Sequence, residues 1–316
     1  MGTEITMNNI ICITGPTASG KTDLAVELAR ELHGEVVSCD SMQIYRGMDI
    51  GTAKPTREEM GGIPHHMLDV CEPEEDFSVS RYCEMATPIV DDILARGKTA
   101  IIAGGTGLYM DSLIRGIDFA PFPSTGVRQR LETRLEEGGL DPLARELEKI
   151  DPEALARSQN NPRRILRALE VYYETEETIT AHDQRTRALP PRYRPLRLAL
   201  DFQDRQTLYR RIHLRVDQML EQGLVEEIRT LLARGVPADC TAMQAIGYKE
   251  FVDALAGRST LEDAVDRVCQ ASRRYAKRQL TWFRRDPTTH WILRGPETGA
   301  EEIIAAARQI IQENDN

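Results

Sequence analysis

Residues 15–22 read Gly-Pro-Thr-Ala-Ser-Gly-Lys-Thr and match the pattern G-x-x-x-x-G-K-[ST]. A short β-branched run, residues 10–14, precedes the match, and a segment with the apolar spacing of an amphipathic helix follows it. Strand, glycine-rich loop and helix in this order form a phosphate-binding loop, a unit that belongs to α/β proteins with a parallel sheet. The sequence therefore predicts such a sheet rather than a helical bundle or an antiparallel fold.

The loop predicts a binding site for a phosphate-containing ligand. Its glycines let backbone N–H groups converge on phosphate oxygens, and the N-terminus of the following helix adds a positive dipole. The Lys21 ammonium neutralises phosphate charge, and the Thr22 hydroxyl can bind Mg²⁺. Because such a loop recognises a diphosphate, a kinase, a nucleotide hydrolase or an enzyme that expels diphosphate could use it. The predicted diphosphate-binding residues are Gly15, Pro16, Thr17, Ala18, Ser19, Gly20, Lys21 and Thr22.

The rest of the chain predicts an α/β core that is interrupted by helices. Residues 36–39 and 99–104 repeat the short buried-strand signature, and a helix-length segment lies before the second of them, which indicates helices on both faces of the sheet. Beyond Pro123 the sequence becomes polar and helical in its periodicity, until residues 196–202 return to a strand pattern. We therefore predict a P-loop NTPase-like core of residues 1–120 and 190–316, and an all-helical insertion of residues 121–189.

Asp40 and Thr106 each follow one of the predicted strands. In sheets of this kind ligands bind at the carboxyl ends of the strands, so both side chains are expected to face the phosphate loop. Asp40 could serve as a Mg²⁺ carboxylate, as a general base toward an acceptor nucleophile, or only as a helix cap. The glycines around Thr106, in the stretch 104–107, would let the backbone approach a ligand closely.

Charge is distributed unevenly along the chain. The 316 residues include 40 basic and 50 acidic side chains, a net charge of −10 that by itself argues against a nucleic-acid partner. Residues 267–285, however, hold seven basic side chains and no acidic one, and residues 157–197 hold nine arginines against five acidic side chains. Two basic segments on an acidic protein are what a localised polyanion site needs, although solvated helix faces would explain them as well.

Composition and local patterns argue against several other classes. The 41% hydrophobic content is typical of a globular protein, and no apolar run approaches the ~18 residues of a membrane helix. The first residues lack the basic and apolar regions of a signal peptide, so a cytoplasmic location with no membrane partner is expected. The six cysteines contain no Cys-x-x-Cys pair and are interpreted as reduced packing residues. His65 and His66 lack further ligands at metal-binding spacing, which favours structural or substrate-contacting roles over a metal site.

Eight segments of the chain form a set far more specific than the phosphate loop alone. They are residues 15–22, 40–45 (DSMQIY), 51–55 (GTAKP), 63–70 (IPHHMLDV), 104–109 (GGTGLY), 163–171 (RRILRALEV), 243–251 (MQAIGYKEF) and 275–283 (YAKRQLTWF). Together, over nearly the whole chain, they resemble the tRNA dimethylallyltransferase family, also called tRNA isopentenyltransferases.

The resemblance implies transfer of a dimethylallyl group from dimethylallyl diphosphate to N6 of the adenosine 3′ to the anticodon, in tRNAs that read codons beginning with U. It implies Mg²⁺ as cofactor and Asp40 as the catalytic base, with Lys21 and Thr22 acting on the leaving diphosphate. The family's tRNA-contacting positions fall on Asp40, Ser41, Met42, Gln43, Thr106, Arg128, Arg163, Arg164 and Arg167. The family pattern Gln-Arg-x-x-Arg reads Arg-Arg-Ile-Leu-Arg in this chain, so Arg163 replaces a neutral amide.

We expect the insertion to bind the anticodon loop, while the basic segment 267–285, including Arg278, and Lys249 contact phosphate and diphosphate groups. The chain is expected to act as a monomer. Two alternatives stay open on the residues alone. A small-molecule or nucleotide kinase would turn over ATP when its acceptor is present, and a nucleotide-switched RNA-binding protein would form no covalent product.

Overall fold

The computed structural model describes residues 9–117 and 125–314. The strands in this part of the chain are β1 (Ile10–Thr14), β2 (Glu35–Ser38), β3 (His65–His66), β4 (Ala100–Ala103), β5 (Leu196–Phe202) and β6 (His290–Arg294). They form one sheet in the order β3-β2-β4-β1-β5-β6, and every pairing between neighbours is parallel. The parallel α/β sheet predicted from the sequence is thus confirmed.

Helices account for most of the remaining described residues. They are α1 (Lys21–Glu31), α2 (Arg57–Met60), α3 (Val79–Ala95), α4 (Gly107–Arg115), α5 (Val127–Gly138), α6 (Leu140–Ile150), α7 (Pro152–Ser158), α8 (Pro162–Thr175), α9 (Ile179–Ala188), α10 (Arg205–Glu221), α11 (Leu224–Ala233), α12 (Lys249–Leu255), α13 (Leu261–Phe283) and α14 (Ala300–Asn314). A 3-10 turn, Ala242–Gln244, precedes α12. Among the described residues, no helix combines the length and the apolar character needed to cross a membrane.

The chain divides into two compact units. Residues up to 116 and from 192 onward form the α/β unit, and residues 117–191 form a helical unit. The helical unit has its own apolar core, in which Leu131 of α5, Leu143 and Leu147 of α6 and Leu169 of α8 are buried. Of the predicted boundaries, the one after residue 120 lies outside the described residues, and the one after residue 189 precedes the observed boundary at residue 191.

Both faces of the sheet are covered. Ile11 and Ile13 of β1 pack in one apolar cluster with Leu24 and Leu28 of α1. Cys12, which points to the other face, is also fully buried. The near-continuous apolar run of β1 is therefore the pattern of a strand that lies inside a parallel sheet. All six cysteines are free and five of them are buried, in agreement with the packing role predicted for them.

The strand order brings three connecting segments to one edge of the sheet. β4 lies between β1 and β2, and its last residue, Ala103, pairs with Ile13 on one side and with Ser38 on the other. The phosphate loop leaves the carboxyl end of β1, the segment that contains Asp40 leaves β2, and the glycine-rich stretch leaves β4. Because the three strands are parallel, these segments meet at the same edge, where sheets of this kind bind ligands.

Glu35 stabilises the opposite edge of the sheet, at the start of β2. Its side chain is only 4% exposed and accepts hydrogen bonds from Arg96 (2.5 and 2.9 Å) and Lys98 (2.7 Å). The Nε2 atom of His66 lies 2.8 Å from the same carboxylate. The hydrogen bonds from Arg96 hold the pKa of Glu35 far below its ordinary value, burial opposes this shift, and Lys98 and His66 reinforce it.

Replacing Glu35 by glutamine is expected to lower the free energy of unfolding by about 2 kcal/mol at pH 7, because the substitution removes the anion that three basic groups share. Since the pKa of Glu35 is lower in the folded state than in the unfolded chain, the stabilisation is complete above the ordinary glutamate value and declines as the pH falls toward the folded-state value. Urea unfolding of wild type and Glu35→Gln should therefore show a smaller difference at pH 3 than at pH 7. Equal differences at the two pH values would contradict this assignment.

Candidate active site

The phosphate loop connects β1 to α1 in a conformation that requires its glycines. Gly15 and Gly20 have φ values of +142° and +92°, and a Cβ atom on Gly15 would lie only 2.7 Å from the Leu200 carbonyl oxygen. Gly20 is the residue immediately before α1, so the loop ends at a helix N-terminus. Free N–H groups at such a terminus bind anions, which is the geometry that the motif predicts.

Lys21 begins α1 and turns back over the loop. Its Nζ atom donates hydrogen bonds to the carbonyl oxygens of Pro16 (2.7 Å) and Gly15 (3.1 Å). Burial, aided by the Arg215 guanidinium and opposed by the Asp40 carboxylate, lowers the pKa of Lys21 to about 7. Lys21, Arg215 and Asp40 therefore lie within electrostatic reach of one another at the carboxyl edge of the sheet.

Two arginines that sequence reasoning missed hold the outer side of the loop. Arg211 of α10 donates from Nε to the Ala18 carbonyl oxygen (2.8 Å), and Arg294 donates from Nη1 to the Ser19 carbonyl oxygen (3.4 Å). Arg294 is the last residue of β6, so the rule that singled out Asp40 at a strand end could have found it. Arg211 lies within a helix, at no informative spacing from the loop.

Asp40 and Thr106 lie together where β2 and β4 end. Asp40 Oδ1 accepts a hydrogen bond from the Met42 N–H (2.9 Å), and Thr106 Oγ1 accepts one from the Ser41 N–H (3.0 Å). The Thr106 N–H donates to the Cys39 carbonyl oxygen (3.1 Å). These bonds hold the backbone on both sides of Asp40, and no hydrogen bond to its Oδ2 atom occurs within the described part of the chain. Oδ2 is therefore available to a substrate.

Glycines after β4 allow close approach of two neighbouring segments. A Cβ atom on Gly104 would lie 2.1 Å from the Cys39 carbonyl oxygen, so only glycine lets the β4 loop meet the residue before Asp40. A Cβ atom on Gly107 would lie 2.3 Å from Cδ1 of Trp282. The Trp282 indole donates to Asp111 Oδ2 (2.7 Å), which fixes α13 against α4.

α13 also brings Tyr275 and Arg278 to this edge. The Tyr275 hydroxyl donates to the Gly105 carbonyl oxygen (3.4 Å), and burial, reinforced by the Asp40 carboxylate, raises the pKa of Tyr275 to about 12. The guanidinium carbon of Arg278 lies 5.4 Å from the centre of the Tyr275 ring. Of the two basic residues predicted to contact diphosphate outside the loop, Arg278 thus contacts Tyr275, and its contact with diphosphate stays a prediction. Tyr275 and Arg215 belong to the same group and were not predicted as site residues.

Lys249 lies elsewhere in the α/β unit. It begins α12 and lines a cavity of about 560 Å³ together with Arg267 and Arg274 of α13. Its Nζ atom is 3.9 Å from a carboxylate oxygen of Glu250. No hydrogen bond or ion pair joins Lys249 to the phosphate loop among residues 9–117 and 125–314, so its predicted contact with diphosphate gains no support from this arrangement.

The segment between β2 and α2 is held by polar side chains from within the α/β unit. The Gln43 side-chain amide donates to the Ala53 carbonyl oxygen (3.1 Å) and is therefore engaged by the protein itself. The Glu227 carboxylate accepts hydrogen bonds from the Ile50 N–H (2.8 Å) and from the Tyr248 hydroxyl (2.6 Å). Segments 51–55 and 243–251, noted in the sequence for their family pattern, thus help to position the chain that follows Asp40.

The arginines predicted to bind tRNA lie on α5 and α8 of the helical unit. Arg128 and Arg167 both approach the Glu170 carboxylate, at 3.8 and 2.9 Å. Arg163 and Arg164 are exposed in the first turn of α8. The structure therefore brings all four onto two packed helices of one unit.

The residues beside the phosphate loop fit a magnesium ion that is held largely by substrate and water. The Thr22 hydroxyl is a hard oxygen donor, which Mg²⁺ prefers together with phosphate oxygens and water. Within the described ranges, no group of three or more His, Cys, Asp or Glu side chains could hold a metal ion by itself. His65 Nδ1 lies 2.9 Å from the Ile63 carbonyl oxygen, and His66 Nε2 lies 2.8 Å from the Glu35 carboxylate.

Comparison with known proteins identifies the relatives of this chain. Residues 43–286 match the family model described as IPP transferase. The tRNA dimethylallyltransferase of Acetivibrio thermocellus is 45% identical over 300 residues, which cover 94% of this chain and 96% of the relative. That of Caldanaerobacter subterraneus is 48% identical over 286 residues, which cover 89% and 90% of the two chains.

Solved structures agree with the sequence relatives. The tRNA isopentenylpyrophosphate transferase of Bacillus halodurans is 42% identical and superposes with a TM-score of 0.71, covering 96% of this chain and 97% of that one. A eukaryotic dimethylallyltransferase described as acting on tRNA is 29% identical, with a TM-score of 0.80 and coverage of 97% and 78%. These similarities do not favour a kinase. The chain therefore belongs to the IPP transferase family, and the curated relatives reported above are tRNA dimethylallyltransferases.

Proposed function

We propose that this protein transfers a dimethylallyl group from dimethylallyl diphosphate to N6 of the adenosine 3′ to the anticodon, in tRNAs that read codons beginning with U. One observation carries the proposal beyond family membership. The phosphate loop follows β1 and Asp40 follows β2, and both strands pair with β4 at Ala103, so the carboxylate lies at the same edge of the sheet as the anion site. A transfer that removes a proton from one substrate and a diphosphate from the other needs both groups at one place.

The proposed step is a displacement at the allylic carbon. The adenine N6 atom forms a bond to C1 of the dimethylallyl group while the bond from C1 to the diphosphate oxygen breaks. The adenine amine is a poor nucleophile because its lone pair is delocalised into the ring. Asp40 therefore accepts the N6 proton as the new bond forms, and this contributes about 10²–10⁴-fold to the rate.

The leaving diphosphate gathers negative charge in the same step. In this proposal the loop N–H groups and Lys21 interact with this charge more strongly in the transition state than in the bound substrate. This difference lowers the barrier to transfer. The Arg215 guanidinium, which interacts electrostatically with Lys21 and Asp40, adds a second positive group beside the phosphate loop. Mg²⁺, held by Thr22 and the diphosphate oxygens, would supply further charge neutralisation when bound.

The RNA substrate must present an unstacked base. An adenine stacked within the anticodon loop cannot reach a phosphate-loop site, so the nucleotide has to be flipped out at a cost of a few kcal/mol. We assign the compensating contacts to Arg128, Arg163, Arg164 and Arg167 of the helical unit, because single-stranded RNA loops are held by contacts to phosphates and base edges.

Replacing Arg164 and Arg167 together by alanine is expected to weaken tRNA binding and to reduce its dependence on salt. The slope of log K against log[salt] is negative, and each lost phosphate contact should make it less negative by about 0.7. Fluorescence titration of tRNA over a range of KCl concentrations measures the slope. Arg308→Ala serves as the control, because Arg308 of α14 is also an exposed arginine paired with a glutamate, Glu31. If the double variant kept the affinity and slope of wild type, the assignment of these arginines to RNA would be wrong.

The direct test of the proposed function is transfer of radiolabel from dimethylallyl diphosphate to unmodified tRNA in the presence of Mg²⁺. Label in the tRNA, located at the adenosine 3′ to the anticodon by nuclease digestion, is the expected result. An ATP hydrolysis assay with the same tRNA and with small-molecule acceptors runs beside it. ATP turnover stimulated by an acceptor, without label in tRNA, would overturn the proposal in favour of a kinase.

A further inference from the structure

Gln279 of α13 connects the phosphate loop with the glycine-rich stretch after β4. The Thr17 N–H donates to its Oε1 atom (3.0 Å), and its Nε2 atom donates to the Gly105 carbonyl oxygen (3.0 Å). The side chain is only 5% exposed. Because an N–H group can only donate and a carbonyl can only accept, the two partners determine which end of the amide faces which loop.

The backbone around Gln279 is built for this contact. A Cβ atom on Gly105 would lie 2.2 Å from the Gln279 Nε2 atom, so any other residue at position 105 would displace the amide. The same hypothetical Cβ would lie 3.9 Å from Asp40 Oδ2. Gln279 therefore contacts the phosphate loop, which is proposed to bind the diphosphate of the prenyl donor. Through Gly105 it also contacts the stretch beside Asp40, the carboxylate proposed to accept the proton from adenine.

We infer that Gln279 is a positioning residue that sets the distance and orientation between the phosphate loop and Asp40. This inference rests on the proposed function. The amide is neutral, so it adds no charge beside the diphosphate. Its role is geometric, and a displacement of about 1 Å between reacting groups is enough to cost about 10²-fold in rate.

Replacing Gln279 by leucine keeps the size of the side chain and removes both hydrogen bonds. The single-turnover rate constant for transfer is expected to fall by about 10- to 100-fold. Lys21 and the remaining loop N–H groups still bind the anion, so affinity for inorganic diphosphate should change much less than the rate. Gln309→Leu is the matched control, because Gln309 is an exposed glutamine of α14 that bonds only to Glu313 among the described residues.

A second variant separates positioning from folding. In Gln279→Glu, an ionised carboxylate still accepts from Thr17 but repels the Gly105 carbonyl oxygen, whereas a protonated carboxyl can both accept and donate, as the amide does. The rate constant of Gln279→Glu relative to wild type should therefore rise as the pH is lowered from 8 toward 5.5. Asp40 and Lys21, which lie on the facing segments, and Tyr275 on the same helix are present in both enzymes, so the ratio cancels their direct contributions.

Both variants are tested by single-turnover transfer with enzyme in excess over labelled dimethylallyl diphosphate and saturating tRNA. A lower rate constant at full amplitude for Gln279→Leu, and a rate ratio for Gln279→Glu that rises toward low pH, are the expected results. A reduced amplitude with an unchanged rate constant would mean only that less protein is folded, and it would overturn the inference. So would a flat rate ratio. Absence of transfer by wild type would instead overturn the proposed function, and this inference with it.

Discussion

Replacement of Asp40 by asparagine is expected to slow dimethylallyl transfer by about 10²–10⁴-fold, the range that a positioned general base contributes. Asparagine keeps an oxygen that can accept the Met42 N–H, so the hydrogen bond that shapes the segment after β2 survives the substitution. What the variant loses is the ability to take a proton. The rate constant of single-turnover transfer should therefore fall, while the affinities for tRNA and for dimethylallyl diphosphate change much less.

The three roles that the sequence left open for Asp40 predict different results. If Asp40 only shaped its segment, Asp40→Asn would be nearly as active as wild type. If it mainly held Mg²⁺, a higher Mg²⁺ concentration would restore much of the rate, whereas a missing base cannot be replaced in this way. Asp92→Asn is the control, since Asp92 lies on α3 in a pair with Arg96, away from the carboxyl edge of the sheet. Recovery of transfer at raised Mg²⁺ would contradict the assignment of a base.

The parts of the fold that carry strong periodicity could be predicted from the sequence. β1, α1 and the strand at 196–202 have long apolar patterns and clear boundaries. β3 was missed because two residues, His65 and His66, are too few to show alternation. α4 was missed because it begins at Gly107, inside a glycine-rich stretch whose local propensity opposes a helix. In the structure Gly107 packs closely against Trp282, a contact that the local sequence does not show.

The residues of the candidate site also divide into those that the sequence could predict and those that it could not. Asp40 and Thr106 could be predicted because parallel strands bring their carboxyl ends together, and chain order alone then identifies the residues. Gln279 and Arg215 could not, because they lie on α13 and α10, far along the chain from the phosphate loop, and only tertiary packing brings them there. One signal for Gln279 was present. It is a polar residue on a helix face whose neighbours Ala276, Leu280 and Phe283 are buried, and a polar side chain in such a position needs partners.

Replacement of Lys21 by methionine is expected to lower kcat/KM for dimethylallyl diphosphate by about 10²–10³-fold, the loss found when one preorganised donor to a developing charge is removed. Methionine keeps the length of the side chain over the loop without its charge. Lys98→Met is the control, because Lys98 binds Glu35 at the opposite edge of the sheet. A loss in Lys21→Met no greater than in Lys98→Met would contradict the role of Lys21 at the leaving group.

The lowered pKa of Lys21 adds a test that does not depend on turnover. With a pKa of about 7 in the free protein, Lys21 is mostly neutral at pH 8 and mostly charged at pH 6. A bound diphosphate favours the charged form and raises this pKa, so binding should take up close to one proton at pH 8 and much less at pH 6. It follows that the contribution of Lys21 to affinity is constant below pH 7 and declines as the pH rises above 7.

Calorimetric titration with inorganic diphosphate, in buffers of different ionisation enthalpy, counts the protons taken up. Protons that belong to diphosphate itself appear equally in wild type and in Lys21→Met, so the difference between the two proteins isolates Lys21. We expect a difference close to one proton at pH 8 that shrinks toward pH 6. A difference of zero at both pH values would mean that Lys21 is already charged in the free protein. The Asp40 carboxylate would then have to offset the cost of burying the Lys21 charge beside Arg215. A carboxylate paired so closely with the lysine would not be free to accept a proton from the substrate.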